Sequence, residues 1–187
     1  MISSFGEGIT QALLPCSWTL LLPAVALGMA TRKAAAPGAF AGSLVLTAWI
    51  SAAGWVVPPV WLAGVALLIG GVLWWRRGPT YLPTAIVGIG AAWAWQPCVG
   101  PELGEALTTA QRDPLSALGG LAMFLLGVTV VGVAIGLGVG TAIGRWSGRT
   151  LDKAGAVVSI ALGLTMFLGI YPKIASTLAQ WSTALWA

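Results

Sequence analysis

The stretch LSALGGLAMFLLGVTVVGVAIGLGVGTAI, Leu115 to Ile143, contains no charged residue and is longer than the roughly 20 apolar residues that carry an α-helix across a bilayer. Four more apolar runs, at Ile9 to Ala30, Gly38 to Val57, Leu82 to Thr109 (which holds Glu102 and Glu105) and Ala154 to Pro172, together with the shorter Val60 to Trp75, give six candidate helices. The whole chain has the same character. It is 58% hydrophobic and 7% charged, with a mean hydropathy of +0.91, whereas soluble domains run at about 25% charged. These numbers predict an all-α, polytopic membrane protein. Its 187 residues hold six spans and leave no room for a separate soluble domain.

The charges that remain punctuate the apolar runs. Arg32-Lys33, Arg76-Arg77, Arg112-Asp113 and the segment Arg145 to Lys153 lie between them, and no basic patch interleaves with polar and aromatic residues, so the net charge of +4 does not indicate nucleic acid. With the amino terminus outside, seven cations (Arg32, Lys33, Arg76, Arg77, Arg145, Arg149, Lys153) fall on the cytoplasmic side and two (Arg112, Lys173) on the other. The positive-inside rule therefore predicts both termini outside the cytoplasmic (inner) membrane of a prokaryote. Trp55 and Trp61 are expected in the outer interfacial belt, and Trp74, Trp75 and Trp146 in the inner one. Met1 to Thr10 has no Lys or Arg and is read as retained rather than as a cleaved signal. After Lys173, Ile174, Leu178, Trp181 and Leu185 recur at helical spacing, which predicts an amphipathic tail over 173–187, anchoring on the outer surface or docking a partner.

Two cysteines, Cys16 and Cys98, are the only ones in the chain, and each follows a proline within an apolar run. Superimposing Pro15-Cys16 on Pro97-Cys98 divides the chain into two units of three helices, about 1–77 and 78–172. Because three is odd, the second unit must insert upside down relative to the first, which gives inverted repeats with a site near the midplane where they meet. Pro15, Pro23, Pro97 and Pro101 each lack a backbone donor and clash with the preceding turn, so both cysteine helices are expected to kink or break. Exposed backbone of that kind is tolerated in a bilayer only where protein or water covers it, so a buried, intermittently wet cavity is expected.

A free cysteine often behaves as a small buried hydrophobe, but two in matching contexts and repeat positions point to a redox pair. At the start of a half-helix the dipole favours thiolate while apolar burial opposes it. Glu102 and Glu105, one and two turns beyond Cys98, are candidates to accept a thiol proton or to line an aqueous vestibule, whereas Glu7 reads as an interfacial charge. Trp18, Trp93 and Trp95 are expected as packing and cavity walls. Gly132, Gly136, Gly140 and Gly144 form a ladder for static helix packing or for sliding. With no His and two cysteines, the chain offers no structural zinc or cluster site, and no metal site is assigned.

The segments Leu14-Pro15-Cys16-Ser17-Trp18-Thr19-Leu20-Leu21-Leu22-Pro23-Ala24 and Gln96-Pro97-Cys98-Val99-Gly100-Pro101-Glu102-Leu103-Gly104 resemble the two cysteine motifs of the CcdA family, which includes the membrane domain of DsbD. Thr19 stands where that family usually has a second proline. The resemblance implies a thiol:disulfide oxidoreductase acting as an electron transporter. It would take reducing equivalents from cytoplasmic thioredoxin and deliver them by alternating access to extracytoplasmic thioredoxin-like proteins, in cytochrome c maturation or related thiol reduction. No cofactor is needed, the motif residues Pro15, Pro23, Pro97, Gly100 and Pro101 shape the helices, and Cys16 and Cys98 carry the exchange. Inverted repeats with midplane breaks also describe a transporter of small solutes or soft metal ions, which is the alternative reading.

Overall fold

The computed structural model describes Gly6, Ile9 and residues 18–30, 35–52, 59–95, 114–142, 148–171, 173–174 and 177. Apart from Pro59 and the turns at 78–80 and 168–170, these residues are helical, and none is in a strand. Six helices dominate: α1 (Trp18–Ala30), α2 (Ala35–Ala52), α3 (Val60–Arg77), α4 (Tyr81–Trp95), α5 (Pro114–Ala142) and α6 (Gly148–Phe167). Each lies on one of the six apolar runs. By length and composition two of them can cross a membrane, over Val60–Arg77 and Leu118–Val139, and the other four are shorter apolar helices.

The ends follow local chemistry. Pro59 precedes α3 in extended conformation, and Pro114 opens α5 at the one helical position where a missing N–H costs nothing. Helix α3 stops at Gly78, whose φ of 76° is left-handed and whose N–H bonds the Trp74 carbonyl at 2.8 Å. Gly169, with φ 67°, ends α6. Its N–H reaches the Met166 carbonyl and that of Ile170 reaches Thr165, the paired bonds of a Schellman motif. Beyond it the chain is helical again at Lys173, Ile174 and Thr177, where the expected tail begins.

Glycines show how the helices pair. A Cβ on Gly64 would strike Gly163 and Phe167, one on Gly71 would strike Ala156 and Ile160, and Gly155 faces Trp74, so α3 and α6 run antiparallel. Gly70 faces Pro83 and Val87, and Gly90 faces Ala63 and Leu67, which makes α3 and α4 an antiparallel hairpin. In contrast, Gly132 meets Leu21 and Ala24, while Gly136 meets Val25, Gly28 and Met29. Helices α1 and α5 are therefore parallel. Helix α2 packs on α4, where Gly88 lies against Phe40 and Ser43, and also on α5. Close backbone approach through small residues is how helices associate where lipid removes the hydrophobic drive between them.

The core is built from Leu20, Leu27, Phe40, Leu44, Leu67, Trp74, Val87, Leu125, Val128 and Met166. The outside is as apolar as the inside: Leu46, Ile69, Val72, Leu126, Val130, Val157 and Leu164 are all exposed. Inside the six helices, charge occurs only at Arg76 and Arg77 in the last turn of α3 and at Arg149, Asp152 and Lys153 in the first two turns of α6. Those two ends are adjacent, because Lys153 Nζ lies 5.1 Å from the centre of the Trp75 ring. Among the described residues the six helices thus carry their charge at one end and expose an uncharged apolar girdle, a surface that soluble monomers avoid.

Candidate functional site

Cys16, Cys98, Pro15, Pro97, Gly100, Pro101, Glu102, Glu105 and Glu7 lie outside the described residues. The structure does describe the helices that lead to the two motifs. Helix α1 starts two residues after Cys16 and α4 ends three residues before Cys98 in the sequence, and the two helices touch. On α1, Leu20, Pro23, Ala24 and Leu27 form one buried face at helical spacing. On α4 the buried face is Thr84, Val87, Ala91 and Ala94.

Both helices direct their motif ends to the same side of the bundle. Gly155 touches Ala26 of α1 and Trp74 of α3, so the carboxyl-terminal halves of α1 and α3 lie together beside the charged end. Helix α4 reverses direction from α3 through the turn Gly78-Pro79-Thr80. The amino-terminal end of α1 and the carboxyl-terminal end of α4 therefore both lie at the end of the bundle opposite Arg76 and Arg77.

Pro23 is the member of the candidate site that can be described. It is fully buried, and of the kink or break expected there the helix shows no break, because α1 continues through Pro23 to Ala30. Its missing N–H removes the donor that would bond the Thr19 carbonyl, which leaves that oxygen in the first turn to seek another partner. Some buried hydroxyls elsewhere satisfy themselves locally: Thr84 Oγ1 donates to the Thr80 carbonyl at 2.8 Å, and Ser159 Oγ to the Gly155 carbonyl at 3.0 Å, whereas the buried Ser51 Oγ has no partner among the described residues. Neither of the two bonds opens a polar path. Among the described residues no three His, Cys, Asp or Glu side chains come together as a metal site would require.

Trp93 packs half-buried against the core. Gly132 and Gly136 of the glycine ladder are buried against α1, and Gly140 and Gly144 fall where no side-chain environment is described. The inner belt needs correcting. Trp74 is 1% exposed, seated over Gly155 with its Nε1 unpartnered, whereas Trp75 is 48% exposed. Neighbouring helical residues point about 100° apart, so the pair cannot share the interface. The signal that could have separated them is the glycine on α6, which is not near Trp74 in sequence.

Comparison of the chain with protein-family models, with curated proteins and with solved structures finds no match.

Proposed function

We propose that the chain is a six-span membrane thiol:disulfide exchanger, in which Cys16 and Cys98 carry reducing equivalents from cytoplasmic thioredoxin to thioredoxin-like proteins outside. The observation that carries the reading is the duplicated Pro-Cys context on two helices whose motif ends face one side of the bundle. The resemblance to the CcdA family rests on those same motif residues.

The packing supports inverted repeats. Exchanging α1 with α4, α2 with α5 and α3 with α6 turns the α1–α5 contact into α4–α2, and α1–α6 into α4–α3, while α3–α6, α2–α5 and α1–α4 map onto themselves. Apart from a slight α1–α2 contact, every substantial interface has its counterpart. The helix directions support six crossings. Alternating spans require α1 and α5 to be parallel, and α3 to oppose both α4 and α6, which are the relations seen at the glycine contacts. The charged end then faces the cytoplasm.

The chemistry is two successive exchanges. A thioredoxin thiolate attacks one sulfur of the Cys16-Cys98 disulfide, forming a mixed disulfide and releasing the other cysteine as thiolate, which takes up a proton. The second thioredoxin thiol resolves the mixed disulfide, leaving oxidised thioredoxin and a Cys16, Cys98 dithiol. Two electrons have moved. The same steps in reverse reduce a disulfide of the outer partner. Thioredoxin sits at roughly −270 mV and the outer compartment is kept oxidising, so the flow is outward without ATP.

The test is transfer across a sealed membrane. Proteoliposomes holding the intact chain, with reduced thioredoxin on the charged side and an oxidised thioredoxin-like acceptor on the other, should reduce the acceptor, and Cys16→Ser or Cys98→Ser should abolish transfer. Transfer that survives in either variant would rule the mechanism out.

A further inference from the structure

Topology asks only that cations lie on the cytoplasmic side; it does not ask them to converge from separate helices. At the charged end they do. Arg76 and Arg77 close α3, where the helix dipole welcomes them, but Lys153 stands early in α6, where the dipole does not. What holds Lys153 there is Trp75: the ammonium sits over the indole at 5.1 Å, bringing the α6 cation beside the arginine pair. Arg76, Arg77 and Lys153 are all exposed, and among the described residues no ion pair neutralises any of them. Arg149 lies one helical turn before Lys153, and Asp152 is the single acidic residue adjacent in sequence. Beside this cluster the surface turns apolar at once, with Trp75, Tyr81 and Leu82 all widely exposed. Unpaired cations on an aromatic floor, at the edge of an apolar girdle, match a ligand with a phosphodiester on one side and acyl chains on the other.

We propose that Arg76, Arg77 and Lys153, brought to one end of the bundle where Lys153 lies over the Trp75 indole, bind the headgroup phosphate of an anionic phospholipid in the leaflet at that end. The arginine forks supply bidentate donors to phosphate oxygens and the lysine a point charge. The indole lies at headgroup depth, where tryptophan is favoured. The inference rests on the chain spanning a bilayer and not on its thiol chemistry, so its failure would leave the redox reading standing.

The experiment is lipid retention by native mass spectrometry of the full chain in neutral detergent, titrated with dioleoyl-phosphatidylglycerol or dioleoyl-phosphatidylcholine. A cation near an anionic surface is worth roughly a fivefold gain, so phosphatidylglycerol should be retained at about tenfold lower concentration or better. The R76Q/R77Q/K153Q variant should bring the two lipids to within about twofold, and R76K/R77K should keep most of the preference. Equal retention of both lipids by the wild-type chain would overturn the site, as would full preference in the glutamine variant. Should that variant not fold, the wild-type preference must still shrink between about 0.05 and 0.5 M salt; an unchanged preference contradicts the proposal. Displacement of the lipid by millimolar inorganic phosphate or polyglutamate would show a general anion patch and equally overturn it.

Discussion

Gly64 and Gly163 face each other across the α3–α6 contact, each occupying the space where the other's side chain would stand. A Cβ on Gly64 would lie 2.8 Å from the Gly163 carbonyl oxygen, and a Cβ on Gly163 2.9 Å from that of Gly64. Both are far inside carbon–oxygen contact distance, and the obstructing atoms are backbone. The most extensive helix pair in the bundle is thus closed by two hydrogens.

Replacing either glycine by alanine must push α3 and α6 apart. Overpacking of this kind costs about 1–3 kcal/mol, and Gly64→Ala or Gly163→Ala should lower the thermal unfolding midpoint in detergent. Gly42→Ala on α2 is the control. Nothing lies within 4 Å of its added Cβ, so that change should be neutral or gain up to about 1 kcal/mol from helix propensity. Equal effects at Gly42 and Gly64 would contradict the packing described.

Trp74 gives a second expectation, in which two substitutions at one position differ in size. Its ring fills the space over Gly155, but its Nε1 has no acceptor. Trp74→Ala should cost about 3–5 kcal/mol through the cavity it leaves. Trp74→Phe keeps most of the ring and removes a donor whose desolvation costs about 1–3 kcal/mol, so it should cost far less. Comparing the two unfolding midpoints decides the matter: a phenylalanine variant as unstable as the alanine one would mean that Nε1 is partnered in the membrane.

The membrane orientation can be read from two exposed positions at opposite ends. Thr80 lies in the turn after Arg77, and Leu168 follows the end of α6. In a chain with Cys16 and Cys98 replaced by serine, Thr80→Cys should react with a membrane-impermeant thiol reagent only from the cytoplasmic face, and Leu168→Cys only from the outer face. Labelling of both from one face would refute the six-span alternation.

Much of this fold is legible in the sequence because apolar runs end where prolines and arginines interrupt them. The expected run Leu115 to Ile143 and the helix Pro114–Ala142 differ by one residue at each end. Helix α6 begins earlier than its hydropathy suggests, at Gly148, because Arg149-Thr150-Leu151-Asp152-Lys153 is charged yet compatible with helix. Hydropathy records where lipid stops, which is not where hydrogen bonding stops. Pairing is another matter. That Gly136 meets Val25 and Gly28, or that Trp74 turns inward while Trp75 stays out, depends on partners more than fifty residues away in the sequence, which no local pattern encodes. Of the candidate site, Pro23 is placed, and it proves compatible with a continuous helix because α1 keeps its remaining bonds on either side of the one that is lost.

The central claim is that Cys16 and Cys98 form one redox centre that thioredoxin can reduce. It is tested most directly by the redox state of the two thiols in the purified chain, read as the mass added by an alkylating reagent before and after incubation with reduced thioredoxin. The account predicts an unmodified disulfide beforehand and two alkylated cysteines afterwards. Two thiols that alkylate from the outset, and never pair under mild oxidation, would contradict it.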